Sequence, residues 1–120
     1  MNKFCVISIY VNDIGLAKAF YCEKLGFELS EEYDPATVSL KHESIPIVLC
    51  EVKSVSTSVY PYEAQVVLGI QTGNLLESTN ELLSKGVKFI YDTPQPCPPG
   101  LYNAFKDPFG NVIELLEFTA

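Results

Sequence analysis

A chain of 120 residues, 48% hydrophobic and 19% charged, has the composition of one globular domain or of two small modules sharing a core, and it is not disordered in the main. Its apolar runs, such as Ile45 to Cys50, fall well short of the roughly 18 residues that a membrane-spanning helix needs. Fifteen acids against eight bases leave a formal charge of −7, and every base is a lysine, scattered from Lys3 to Lys106; phosphate-binding faces cluster Lys and Arg, so neither nucleic acid nor an anionic membrane is expected as a partner.

The N-terminal residues show no long apolar stretch ending in a small-residue cleavage site, so the expected location is the cytoplasm, with thiols kept reduced. The first strand carries two alternating sets. Cys5, Ile7, Ile9 and Val11 are apolar and suit packing on a helix, while Phe4, Val6, Ser8 and Tyr10 face the other way. A helix follows, capped by Asp13 and closed by a left-handed Gly26, with Ile14, Ala17, Tyr21 and Leu25 as its core face. Phe27 to Glu32 is the next strand, and its Glu28, Glu31 and Glu32 form a solvated acidic patch with Asp34. Thr37 to Glu43 and Pro46 to Val52 read as a hairpin, with the lone histidine, His42, at its surface. Ser54-Val55-Ser56-Thr57-Ser58 is a linker.

The same order then returns at an offset of about 60 residues. A strand runs through Gln65 to Ile70, with Val66, Leu68 and Ile70 toward a helix and Gln65, Val67 and Gly69 away from it. Asn74 caps the second helix, Gly86 closes it, and Leu75, Thr79, Leu82 and Leu83 form its core face. Lys88 to Tyr91 reads as a strand and the proline-rich Pro94 to Gly100 as a loop of restricted backbone freedom. Tyr102 to Lys106 and Asn111 to Phe118 flank the turn Asp107-Pro108-Phe109-Gly110, which Pro108 and Gly110 shape. The result is two βαβββ modules, 1–59 and 60–120, in an α+β fold with eight strands in a curved mixed sheet. Cys5, Cys22 and Cys50 lie in apolar stretches and read as buried thiols; Cys97, in the proline-rich loop, has no cationic neighbour to activate it.

In the last strand Val112, Glu114, Leu116 and Phe118 share a face. A carboxylate between apolar neighbours is costly unless paired, metal-bound or wet, which makes Glu114 the most informative residue in the chain.

Three stretches carry a family resemblance: Val11-Asn12-Asp13 through Phe20-Tyr21 to Leu25-Gly26-Phe27; Leu83-Ser84-Lys85-Gly86-Val87; and Phe105-Lys106-Asp107-Pro108-Phe109-Gly110-Asn111-Val112-Ile113-Glu114-Leu115. They resemble the glyoxalase/bleomycin-resistance/extradiol-dioxygenase superfamily, also called vicinal oxygen chelate. The resemblance implies a single domain of paired βαβββ modules cupped around a ligand cavity, and a homodimer. Val6, Ser8, Tyr10, Gln65 and Val67 would line that cavity together with Tyr102, Glu114, Leu116 and Phe118, and the 94–100 loop would lie over it as a lid. The family's metal ligands fall on Val6, which has no donor, on Gln65, on Glu114, and near Leu49 to Glu51, where only Glu51 has one. Catalytic metals want three protein donors with imidazole prominent, so a metal-free site is expected; a divalent ion, if one binds, would use Gln65, Glu114 and Glu51. The absence of arginine also weighs against a phosphonate-holding transferase.

Three readings follow. The first is metal-independent binding of a small amphipathic or cationic molecule, a sequestration of the antibiotic-resistance kind, with Phe4, Tyr10, Tyr60, Tyr62, Tyr102 and Phe118 near the ligand. The second is a glyoxalase-type lyase or isomerase in which Glu114 acts as catalytic base or metal ligand and Gln65 assists. The third is a degenerate module without a ligand, in which Glu114 is hydrogen-bonded to Gln65 or Tyr10.

Overall fold

A computed structural model describes residues 2–56 and 58–119. The chain divides into two compact units, Met1–Ser56 and Thr57–Ala120.

In the first unit β1 (Ile7–Val11) leads into α1 (Ile14–Lys18), which runs on as a π-helical turn over Ala19–Lys24; β2 (Leu29–Asp34), β3 (Thr37–Leu40) and β4 (Ile47–Glu51) follow. The sheet order is β1-β4-β3-β2, with β1 parallel to β4 and the other pairs antiparallel. Asp13 caps α1 by accepting from Leu16 N–H at 3.0 Å, and Gly26 takes a φ of 85° past its end, as the sequence requires. The π turn widens the helix, with Leu25 N–H donating to Phe20 O at 3.1 Å. Phe20 and Tyr21 are both buried, with their rings edge to face. Ala17 and these two rings pack with Ile9, Val11, Val38, Leu40, Ile47 and Leu49 as the core of this unit.

The second unit repeats the order: β5 (Leu68–Gln71), α2 (Leu75–Ser84), β6 (Gln95–Cys97), β7 (Gly100–Lys106) and β8 (Val112–Phe118), in a sheet ordered β5-β8-β7-β6. Asn74 caps α2 through Glu77 N–H at 3.0 Å. Ile113 and Leu115 of β8 are buried on the side where α2 packs, together with Leu75, Leu82, Val87, Phe105 and Phe109. Two mixed sheets, each with its helix, make this an α+β fold. Among the described residues no helix is long and apolar enough to cross a membrane.

Several expectations are corrected. Pairing of β1 starts only at Ile7, where its N–H reaches Pro46 O, so Cys5 is exposed rather than buried; Cys22 and Cys50 are half-buried. The strand expected from Phe27 begins at Leu29. Leu83 is exposed, so the core face of α2 is narrower than its apolar content suggests. Lys88 to Tyr91 is not a strand: it makes one isolated bridge, Phe89 to Phe105, and then leaves the ladder. The expected 94–100 loop instead holds β6, the edge strand, paired with β7 through Gln95–Tyr102, Pro96–Leu101 and Cys97–Gly100. Pro96 is tolerated because an edge strand has a side that needs no N–H partner. The acidic patch on β2 and His42 are exposed, as expected.

Candidate functional site

Glu114 is the centre of a cluster in the second unit. On β8 it stands in register with Gly69 of β5 and Ala104 of β7, so its neighbours on both flanking strands are small. That leaves room for a side chain from outside the sheet. Tyr60 takes it, and its hydroxyl donates to Glu114 Oε2 at 2.5 Å. The Tyr60 ring meets Tyr91 edge-on at 6.3 Å between centroids, and Tyr91 meets Tyr102 edge-on at 5.9 Å. Tyr102 lies on β7 opposite Leu116, the next residue along the Glu114 face. In the first unit the corresponding place, opposite Ser8 on the parallel strand, is taken by Val48, so only the second unit carries a carboxylate there.

The electrostatics follow from this packing. Burial, then the hydrogen bond to Glu114 and the charge of that carboxylate, pushes the Tyr60 phenol far above the usual tyrosine range. Tyr102 is also raised, first by its hydrogen bond with Tyr91 and then by burial. A phenol raised in the folded state stabilises the fold below the unfolded tyrosine value of about 10 and loses that contribution as the pH climbs above it. The stability difference between the wild-type protein and Tyr60→Phe is therefore expected to shrink between about pH 9 and pH 11, as read from urea midpoints at both values. A constant difference would show that Tyr60 titrates as an ordinary exposed phenol.

The other residues singled out in the sequence are placed as follows. Val6 lies before β1 and is exposed; Ser8 and Tyr10 are on the exposed phase of β1. Gln65 is exposed at a bend and Val67 half-buried, both ahead of β5 rather than inside it. Leu116 is half-buried and Phe118 exposed on the Glu114 face. Glu51 is engaged elsewhere, because its Oε2 accepts from Ile14 N–H at 2.8 Å and so satisfies a free donor at the start of α1. Glu117 does the same for α2 through Leu75 N–H at 2.6 Å, a role the sequence reading missed.

The positions at which the resemblance would put metal ligands do not offer a catalytic donor set as the structure places them. Val6 has no donor, Glu51 serves a helix end, Gln65 is out of its strand, and Glu114 holds a phenol. Among the described residues no three His, Cys, Asp or Glu side chains converge as a metal-binding group. Two members of the cluster, Tyr91 and its anchor Asn103, were not recognised from sequence. Asn103 could have been noticed as the polar residue between Leu101 and Phe105 on one phase of its strand.

Comparison with known proteins gives the family. No curated protein matches the chain in sequence. A putative glyoxalase family protein from Bacillus anthracis superposes with a TM-score of 0.78 at 18% identity, over 99% of this chain and 97% of its own. The fosfomycin resistance protein FosX of Listeria monocytogenes gives 0.78 at 19% identity, over 99% and 93%. TnmS3, an antibiotic binding protein from Streptomyces sp. CB03234, gives 0.71 at 26% identity, over 99% of both chains. The first two likenesses are of fold alone. A family profile matches residues 3–115, nearly the whole chain, and on that match the chain belongs to the Glyoxalase/Bleomycin resistance protein/Dioxygenase superfamily.

Proposed function

We propose that this chain is a metal-independent binding protein for a small amphipathic or cationic molecule, and that it acts by sequestration. The observation that carries this reading is the Glu114 cluster: one carboxylate held by Tyr60, whose ring begins an edge-to-face run through Tyr91 to Tyr102. Carboxylate and aromatic faces together attract an organic cation, and a net charge of −7 favours its approach. TnmS3, 26% identical over 99% of both chains, is an antibiotic binding protein, which accords with the same role. The reading treats the whole chain as one cytoplasmic domain of two modules that forms a homodimer.

Calorimetric titration with a cationic glycopeptide and with planar aromatic cations tests it. Saturable binding is expected at micromolar protein, and Glu114→Ala is expected to weaken it about tenfold, or about 1.4 kcal/mol. No saturable binding by the wild-type protein rejects the proposal.

Two rivals remain in view. The resemblance puts the family's last-strand ligand at Glu114, which favours a glyoxalase-type metal-dependent lyase or isomerase with Glu114 as base or ligand and Gln65 assisting. Turnover of the methylglyoxal–glutathione hemithioacetal would decide for it. Glu114 also has a partner from its own chain, Tyr60, which favours a degenerate module.

A further inference from the structure

We infer that Asn103 is the positioning residue of the Glu114 face: its buried side-chain amide replaces a missing stretch of strand and holds Tyr91 where its ring meets both Tyr60 and Tyr102. The importance of this for ligand binding rests on the reading proposed above.

The argument starts from the β7 ladder. β6 pairs with β7 only from Gly100 to Tyr102, which leaves the rest of that edge of β7 without β6. The 89–91 segment covers part of it, through the Phe89–Phe105 bridge and Ile90 N–H donating to Ala104 O at 2.7 Å. At Tyr91 backbone pairing stops, and both of its main-chain groups turn to one side chain. Tyr91 N–H donates to Asn103 Oδ1 at 3.2 Å, and Asn103 Nδ2 donates to Tyr91 O at 3.0 Å. The same Oδ1 accepts from Ala104 N–H at 2.8 Å. Asn103 is only 2% exposed, so these donors and acceptors have little access to water.

Only an amide does this. Leucine would fill the space but leave three main-chain groups unpaired, and an ionised aspartate could not donate to Tyr91 O. The consequence reaches the Glu114 face through Tyr91. Tyr60 comes from an irregular segment outside the strands, and its ring rests against Tyr91 while its hydroxyl is on Glu114. Tyr102 meets Tyr91 as well, edge-on at 5.9 Å between ring centroids, and Tyr91 helps to hold its phenol above the usual range. Asn103 thus fixes the ring between two site tyrosines.

The test follows tyrosine ionisation by 13C-labelled ring NMR in the wild type, Asn103→Ala, Tyr91→Phe and the double variant. Tyr102 is expected to ionise at lower pH in each single variant, with no further shift in the double. A purely structural role for Asn103 would not reproduce the Tyr91→Phe shift or saturate with it. An unchanged Tyr102 in folded Asn103→Ala, or additive shifts, would overturn the inference. Amide exchange on the wild type needs no variant: Tyr91 N–H is expected to exchange at least a hundredfold more slowly than Asp92 and Thr93, and equal rates would overturn it too. Ethidium, a planar cation, separates the two proposals. About tenfold weaker ethidium binding by Asn103→Ala supports both. If the NMR coupling holds while the wild type does not bind ethidium, the positioning role stands and the ligand reading fails for this class. Equal ethidium affinity in the wild type and Asn103→Ala counts against the positioning role.

Discussion

Asp107→Ala is expected to lower the unfolding free energy by about 4 kcal/mol, on the basis that hydrogen bonds to a charged group contribute about 1.5–3 kcal/mol each and are not additive. Asp107 is 4% exposed, and its carboxylate organises the turn before β8. Oδ1 accepts from Phe109 N–H at 2.9 Å and Asn111 N–H at 2.8 Å, and Oδ2 accepts from Asn111 Nδ2 at 2.8 Å. Its own N–H donates to Asn111 O at 2.8 Å, and Gly110, with a φ of 91°, closes the turn onto Asp107 O. Alanine strands these donors beside the buried Phe109 ring. Because domains of this kind are stable by about 5–15 kcal/mol, a loss of this size is a large fraction of the total. Asp107→Asn keeps an oxygen for the two main-chain donors but turns an amide toward Asn111 Nδ2, so about half the loss is expected. Urea midpoints followed by circular dichroism rank the three proteins. A loss below about 1 kcal/mol in Asp107→Ala would mean that water replaces the carboxylate in this turn.

That turn was legible in the sequence, and so was most of the framework. Asp13 and Asn74 cap where their residue types say they should, and Gly26 and Gly86 end their helices with φ of 85° and 88°. These signals are local, since each depends on a few neighbouring residues. What failed depended on distant ones. Nothing near Lys88 to Tyr91 says that the chain will leave the ladder at Tyr91, because the reason is the side chain of Asn103, 12 residues on. Pro96 looked like a loop residue because its tolerance depends on the strand being at an edge, which is a property of the finished sheet.

The candidate site was legible in one half. Glu114 stood out because strand phase placed a carboxylate among apolar neighbours, and the structure supplies the partner that such a group needs. Tyr60 was not named as that partner, where Gln65 or Tyr10 had been, because it lies in an irregular stretch with no period to give its direction. The helix-end role of Glu51 was hidden for a related reason: its bond to Ile14 N–H spans 37 residues and joins a strand end to a helix start.

Gly100→Ala is expected to cost about 3 kcal/mol, at the upper end of what overpacking a well-packed position usually costs, and to act on the candidate site as well. Gly100 opens β7 between Cys97 of β6 and Phe118 of β8. A Cβ there would collide with the Glu117 carbonyl oxygen and lie 3.0 Å from Phe118 Cα. Both are main-chain atoms, so no rotamer change relieves the clash and the strands must part. The strain falls on a short hairpin: β6 has three residues, and Thr119 N–H and Oγ1 each donate to Pro99 O at 2.8 Å to hold the turn against the end of β8. Thiol labelling read by mass spectrometry should therefore show half-buried Cys97 reacting faster in Gly100→Ala, while exposed Cys5, in the other unit, keeps its rate. Tyr102 is two residues along the same strand and on the same phase, so loosening the hairpin also loosens one wall of the Glu114 face. Ligand affinity and Cys97 protection should fall together in this variant. In Glu114→Ala, affinity should fall while Cys97 stays protected, and that contrast separates a damaged sheet from a lost contact.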